Sequence, residues 1–139
     1  MTQLLSSQGV DITQKNFQQI IIRGDGKDQF NQIINQEISA LPPSKNLEVT
    51  INDKFMFAKN SFDQWSLIYL VEQNYKEILK FISNVNSKDE ILASDYSYGQ
   101  VYFEVSGKNK NEFLNKLTQF DFRNKKFPNF SMAQTLIAR

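Results

Sequence analysis

The sequence predicts an α+β domain, a ferredoxin-like split βαβ sheet with helices on one face, and three features carry that prediction. Apolar periodicity gives the order strand, helix, strand, strand, helix, strand, followed by a further helix and a last extended piece. A chain of 139 residues that is 40% hydrophobic and 13% aromatic is large enough for one real core and too apolar for disorder. No internal repeat, low-complexity block or second hydrophobic pattern divides it. The expected organisation is a loosely ordered N-terminal arm over residues 1–16 and a single domain over residues 17–139.

The arm has little pattern beyond Leu4, Leu5, Val10 and Ile12. Residues 17–23, FQQIIIR, carry the β-branched run of a central strand, and Gly24-Asp25-Gly26 breaks it. From Asp28, Phe30, Ile33, Ile34 and Ile38 share one helical face until Leu41-Pro42-Pro43 forbids continuation. Leu47, Val49 and Ile51 alternate as a strand, Asn52-Asp53 offers a turn, and residues 55–58 continue extended. Residues 65–71 form a near-continuous apolar strand and a hairpin with residues 55–58. Tyr75, Ile78, Leu79 and Ile82 then repeat the helical spacing.

Residues 95–122, DYSYGQVYFEVSGKNKNEFLNKLTQFDF, hold strand, turn and helix signals in succession. Val101, Phe103 and Val105 alternate with Gln100, Tyr102 and Glu104, and Ser106-Gly107 ends the strand. The expectation is a central strand whose Val101, Phe103 and Val105 pack on a following helix. Asn109 is placed to cap that helix, Glu112 to answer its exposed amides, and Phe113, Leu114, Leu117 and Phe120 to form its apolar stripe. Residues 132–138 are expected as a last extended segment.

Sixteen basic residues against fifteen acidic leave a formal charge of +1, which offers no electrostatic footprint for nucleic acid or an anionic membrane. With no Cys and no His, disulfides, thiolate chemistry, the commonest general base and the commonest zinc ligand are all missing. No apolar run approaches the roughly 18 residues that span a bilayer, and the polar N-terminus lacks a signal-peptide core. The expected setting is cytoplasmic, with no nucleic-acid or membrane partner.

The stretch Arg23-Gly24-Asp25-Gly26-Lys27-Asp28 has neither GxGxxG nor a P-loop ending, and its two aspartates would repel phosphate, so it reads as a turn with helix capping. Asp89, Glu90 and Asp95 are close in sequence, yet an Asp-x-Ser-x-Gly turn uses Asp and Ser to bond its own backbone. Tyr96, Tyr98 and Tyr102 suit either a ligand cleft or a covered sheet face. Lys108, Lys110, Lys116, Arg123, Lys125 and Lys126 form a local basic excess that suits polyglutamylated folate, an acidic partner surface or plain solvation. Glu112, Asp121 and Arg123 have no nucleophile, metal ligand or base beside them in sequence, so no independent active site is expected.

Asp95-Tyr-Ser-Tyr-Gly-Gln-Val-Tyr-Phe-Glu-Val-Ser-Gly107, Phe113-Leu-Asn-Lys-Leu117, Phe120-Asp-Phe122, Phe127-Pro128 and Ala133-Gln134-Thr135-Leu136 stand in an order that resembles the gamma subunit of heterotetrameric sarcosine oxidase. Upstream, residues 55–70 with Trp65 are similar to that family's hairpin, and Leu41-Pro42-Pro43 to its proline step after the first helix. The likeness spans about residues 17–139. Gln100, Lys108 and Phe130 depart from residues common in the family, and the family runs on past Ala-Gln-Thr through further strands and a terminal helix, so the expectation is a member short at its C-terminus with an unpaired edge.

The resemblance implies a fold similar to a folate-binding aminomethyltransferase (glycine cleavage T-protein) subdomain. It further implies a non-catalytic gamma subunit that assembles with alpha and beta subunits, and with delta in the same complex. That complex demethylates sarcosine oxidatively to glycine and passes the one-carbon unit to tetrahydrofolate, with FAD, FMN and NAD in other subunits. The alternative is a stand-alone folate-binding module of the aminomethyltransferase type. The family-pattern residues, read as a candidate interface rather than catalytic or cofactor-binding groups, are Asp95, Ser97, Gly99, Tyr102, Ser106, Gly107, Asp121, Pro128, Ala133, Gln134 and Thr135.

Overall fold

The computed structural model describes residues 2–88 and 90–137. In chain order these form β1 (Thr2–Ser7), β2 (Val10–Lys15), β3 (Gln18–Arg23), α1 (Asp28–Ile38), β4 (Val49–Ile51), β5 (Phe55–Ser61), β6 (Gln64–Tyr69), α2 (Tyr75–Asn86), β7 (Leu92–Asp95), β8 (Tyr102–Ser106) and α3 (Lys110–Leu117). Contacts group them into two compact units, one from Phe17–Gly99 and one from Met1–Asn16 with Gln100–Arg139. The single domain expected over residues 17–139 is therefore divided, because the segment after Gly99 makes its strand pairing with the N-terminal segment.

The Phe17–Gly99 unit is the predicted split βαβ. Its five-stranded sheet has the order β4-β5-β6-β3-β7, antiparallel at every step. Without the short added strand β4, the first strand β3 and third strand β6 lie at the centre with β5 and β7 outside, as a split βαβ demands. Cross-strand pairs stack the core in rows, Ile20 opposite Leu67, Leu67 opposite Phe57, and Ile22 opposite both Trp65 and Ala93. Phe30 and Ile34 of α1 and Ile78, Phe81 and Val85 of α2 close on the same cluster, so both helices cover one face.

α1 begins at Asp28 as the periodicity predicts and ends with Ser39 in the left-handed region, its amide bonded to the Asn35 carbonyl. The proline step then does structural service, since the Pro43 carbonyl accepts the Trp65 indole N–H at 2.9 Å. Asn52 Oδ1 accepts from the amides of Lys54 and Phe55, which makes the expected turn between β4 and β5 an Asx turn. α2 is capped by the Asn74 side chain on the Lys76 amide. Its buried face is Ile78, Phe81 and Val85, while Tyr75 and Leu79 are exposed, so the helix sits rotated from the face predicted. The sequence offers two overlapping apolar stripes, and the one carrying Phe81 and Val85 wins by burying more surface.

The other unit corrects further expectations. Residues 2–16 are a hairpin rather than a loose arm. Gln8 and Gly9 have φ of 54° and 76°, the two positive angles of a type I′ turn, and Ser7 pairs with Val10 across it. β8 is not central to the helix-covered sheet but belongs to a three-stranded one of order β1-β2-β8. Its register sets Val105 opposite Ile12 and Phe103 opposite Gln14. Val105 and the α3 residue Leu114 line one recess, but Val101 precedes the strand and is 65% exposed and Phe103 is 54% exposed, so the expected packing of all three on the helix does not form. The Asn109 side chain does not cap α3; it donates to the Gln8 carbonyl at 2.7 Å. Glu112 faces Lys116 at 4.0 Å instead of the helix amides. Residues 132–137 form no strand, and residue 138 of that expected segment lies outside the described residues.

Phe57 is fully buried in the five-stranded sheet, so Phe57→Ala is expected to cost about 3–5 kcal/mol in urea unfolding. Phe103→Ala is expected to cost less than about 1 kcal/mol, because most of its ring loses no burial. A Phe103→Ala loss as large as that of Phe57→Ala would place Phe103 in a core.

Candidate functional site

The family-pattern residues fall in three places, one in the Phe17–Gly99 unit and two in the other. Asp95, Ser97 and Gly99 form the turn that ends β7. The Asp95 carboxylate accepts from the Ser97 amide at 3.0 Å and from the Ser97 hydroxyl at 2.7 Å, and also from the Tyr75 hydroxyl at the start of α2. Ser97 Oγ in turn accepts the Gln19 amide at 3.1 Å, and the Tyr96 amide donates to the Gln19 carbonyl at 2.8 Å. Gly99 lies against the Tyr96 ring, where a Cβ would stand 2.7 Å from the ring carbon Cζ. The motif thus ties the end of β7 to β3 and to the first turn of α2.

Burial pushes the Asp95 carboxyl up, but the Ser97 and Tyr75 hydrogen bonds outweigh it and hold the group below its ordinary range. The same bond to Asp95 pushes the Tyr75 phenol up. Neither group is set up for acid or base work near neutrality, since the carboxylate stays charged and the phenol protonated.

Beside this turn runs a polar chain that sequence reasoning missed. Gln19 is fully buried, on the sheet face opposite Ile20 and Ile22, and its Nε2 donates to Ser66 Oγ at 3.1 Å; that hydroxyl donates to Asn60 Oδ1 at 2.7 Å. A glutamine inside the β-branched run FQQIIIR was the available signal, since a buried amide demands partners.

In the other unit, Tyr102 pairs with Lys15 and Ser106 with Asp11 across β2 and β8. Gly107, at φ 106°, packs so closely on the Gly9 carbonyl that any Cβ would collide with it. Asp121 opens the third place. Its carboxylate grips Arg123 through Nε and Nη2, the latter at 2.6 Å, and accepts the Arg123 amide at 3.0 Å. The Arg123 bonds hold the Asp121 carboxyl at about 2. This turn presents Phe122 and Phe127, whose rings and that of Phe120 meet one another edge to face at centroid distances of 5.1 to 5.4 Å. Pro128 is exposed, and Ala133 half-buried. Gln134 and Thr135 line a recess with Leu117 and Thr118, where the Thr118 and Thr135 hydroxyls lie 2.8 Å apart.

Of the carboxylates near Asp95 in sequence, Asp89 lies outside the described residues. Among the described residues no group of three or more acidic side chains is placed to hold a metal ion. The loop at Gly24 is a turn, with Asp25 Oδ1 accepting the Lys27 amide at 2.9 Å. No helix among the described residues is long and apolar enough to cross a membrane.

Asp95 has a testable pH signature. Its carboxyl is more acidic in the fold than in the unfolded chain, so its contribution is complete above about pH 5 and is lost as the pH falls through its lowered value. Asp95→Asn is expected to cost roughly 1 kcal/mol at pH 7, after allowance for its partial exposure. The gap from the parent in urea midpoint should shrink towards pH 3. A gap unchanged between pH 7 and pH 3 would mean the carboxylate is not bonded as described.

No protein-family model and no curated protein sequence matches the chain. Among solved structures, it is similar to a chain of the heterotetrameric sarcosine oxidase from Corynebacterium sp. U-96, determined in complex with pyrrole 2-carboxylate. The TM-score is 0.75 at 13% identity, and the match covers 90% of this chain and 64% of that one. The chain thus spans less than two thirds of that neighbour's length. What the resemblance implied about the fold holds: the α+β architecture of this chain is shared with a chain of a heterotetrameric sarcosine oxidase.

Proposed function

We propose that the chain is an accessory subunit of a sarcosine oxidase complex, without an active site of its own, and that it acts in assembly with alpha and beta subunits. The observation that carries this reading is the shared fold over 90% of the chain with a heterotetrameric sarcosine oxidase. The site geometry is in keeping with it, because the chemistry-bearing groups of the family pattern are engaged in local bonds. Asp95 is bonded by Ser97 and Tyr75, and Asp121 by Arg123. Under this reading the FAD, FMN, NAD and tetrahydrofolate sites belong to partner subunits, and sarcosine is demethylated there. The partner-facing surface is sought among the exposed apolar groups around the family-pattern residues. Tyr98 stands in the Asp95 turn almost wholly in solvent, and Phe130 and Leu136 are exposed on either side of residues 133–135.

The test is co-expression of this chain with the flavin-bearing subunits of a heterotetrameric sarcosine oxidase, followed by affinity purification through this chain and assay of sarcosine turnover. The expected outcome is a complex containing this chain whose yield or turnover falls when the chain is left out. Flavin-bearing subunits that assemble and turn over equally well without it, with no complex containing it, would overturn the reading.

A further inference from the structure

The unit formed by residues 1–16 and 100–139 does not close a core of its own. Of the buried hydrophobic side chains among the described residues, Val10 alone belongs to it, and the others all lie in Phe17–Gly99. α3 has eight residues, none of them buried, and a helix that short does not hold by propensity alone. Its Phe113, Leu114 and Leu117 are only half-buried, as are Phe120, Phe122 and Phe127 in the chain that follows. Val105, Leu114, Phe122, Phe127 and Phe130 line a recess of about 270 Å³ on this unit.

Phe130 stands at the rim. Its φ is 62°, a left-handed conformation that a bulky aromatic residue rarely adopts, yet it is 65% exposed, so little packing within the chain offsets the strain. The Ser131 hydroxyl donates to the Pro128 carbonyl and closes the turn that carries it. Strain that holds an apolar ring in water has a use if the ring is an anchor, already in place when a partner arrives. The chain around the recess is basic. Lys110 lines it, and Lys125 and Lys126 stand between the lining residues Asn124 and Phe127. All three are exposed and in no ion pair among the described residues, while the acids nearby in sequence, Glu112 and Asp121, already face Lys116 and Arg123. A second copy using the same face would set lysines against lysines. A concave apolar site ringed by ammonium groups fits instead a protein segment with an apolar side chain between carboxylates.

We infer that this recess docks an acidic segment of a partner subunit, which inserts an aliphatic or aromatic side chain beside Phe130 and sets carboxylates against Lys110, Lys125 and Lys126. This assignment rests on the assembly reading and names the surface through which assembly occurs. It is tested on the full chain with purified flavin-bearing subunits of a heterotetrameric sarcosine oxidase, by affinity titration and amide hydrogen exchange. Phe130→Asn removes the ring and suits the left-handed backbone, and Lys110→Glu combined with Lys125→Glu reverses two exposed charges. Each variant is expected to weaken the complex roughly tenfold or more. Lys27→Glu combined with Lys45→Glu, in the other unit, should leave the affinity within about twofold. Raising the salt from about 50 to about 300 mM should weaken the parent complex, and the amides of residues 122–131 should exchange more slowly in it than in the free chain. A complex whose affinity neither variant changes, and in which residues 122–131 exchange as in the free chain, would overturn this site and leave the assembly reading standing. No complex with any of these subunits, from a chain shown to be folded, would overturn both. Self-association of the chain alone, or binding to phosphatidylserine vesicles, that Phe130→Asn abolishes would give the recess to another occupant and overturn the inference.

Discussion

The burial of Trp65 is the constraint on which the Phe17–Gly99 unit depends. The indole is 1% exposed, and it cannot be placed without fixing four other pieces of chain. Its face meets Phe30 at 4.7 Å, which sets the start of α1 against β6. Its N–H must find an acceptor once buried, and the Pro43 carbonyl supplies it, which sets the path after α1. Lys59 of β5 lies 5.0 Å from the ring centroid. Gly26, at φ 68°, approaches the ring edge so closely that a Cβ would stand 3.0 Å from it. Strand, helix, loop and hairpin are thereby registered by a single side chain, with no ion pair needed at the centre.

This dependence explains which parts of the fold were legible. Between residues 17 and 95 the elements are marked by apolar runs or periodicity and by local stop signals, such as Pro42 after α1 or Asn52 before β5. Those are short-range properties, and sequence reports them directly. The β1–β2 hairpin was not legible because its turn is Gln8-Gly9 rather than Asn-Gly or Asp-Gly, and because its first strand, TQLLSS, is exposed throughout. The position of β8 was misread for a different reason. Alternation showed that residues 100–105 are extended, but alternation says nothing about which strand they pair with. Their partner, β2, lies some ninety positions earlier in the chain.

The candidate site divides in the same way. Asp95-x-Ser-x-Gly was legible as a turn, since an Asp bonding the amide two residues on is a local event. Its bonds to Gln19 and Tyr75 were not legible, because they depend on β3 and α2 arriving beside it. Asp121 and Arg123 likewise close a local turn, but the three-ring cluster it serves emerges only from the folded chain.

The Asp95 turn acquires a second meaning from the way the chain is threaded. The β2–β8 pair joins segments from either side of Phe17–Gly99, so that whole unit sits in sequence as an insertion within the smaller one. Closing a flexible loop of that length costs on the order of 4 kcal/mol in chain entropy. By bonding Gln19 to Tyr96 and Ser97, the turn sets the entry and exit of the inserted unit side by side. Once that unit has folded, the loop is in effect already closed, and β8 can find β2 at little entropic cost. During synthesis the split βαβ can therefore mature first, with the N-terminal hairpin waiting for a strand that leaves the ribosome only after the insertion is complete.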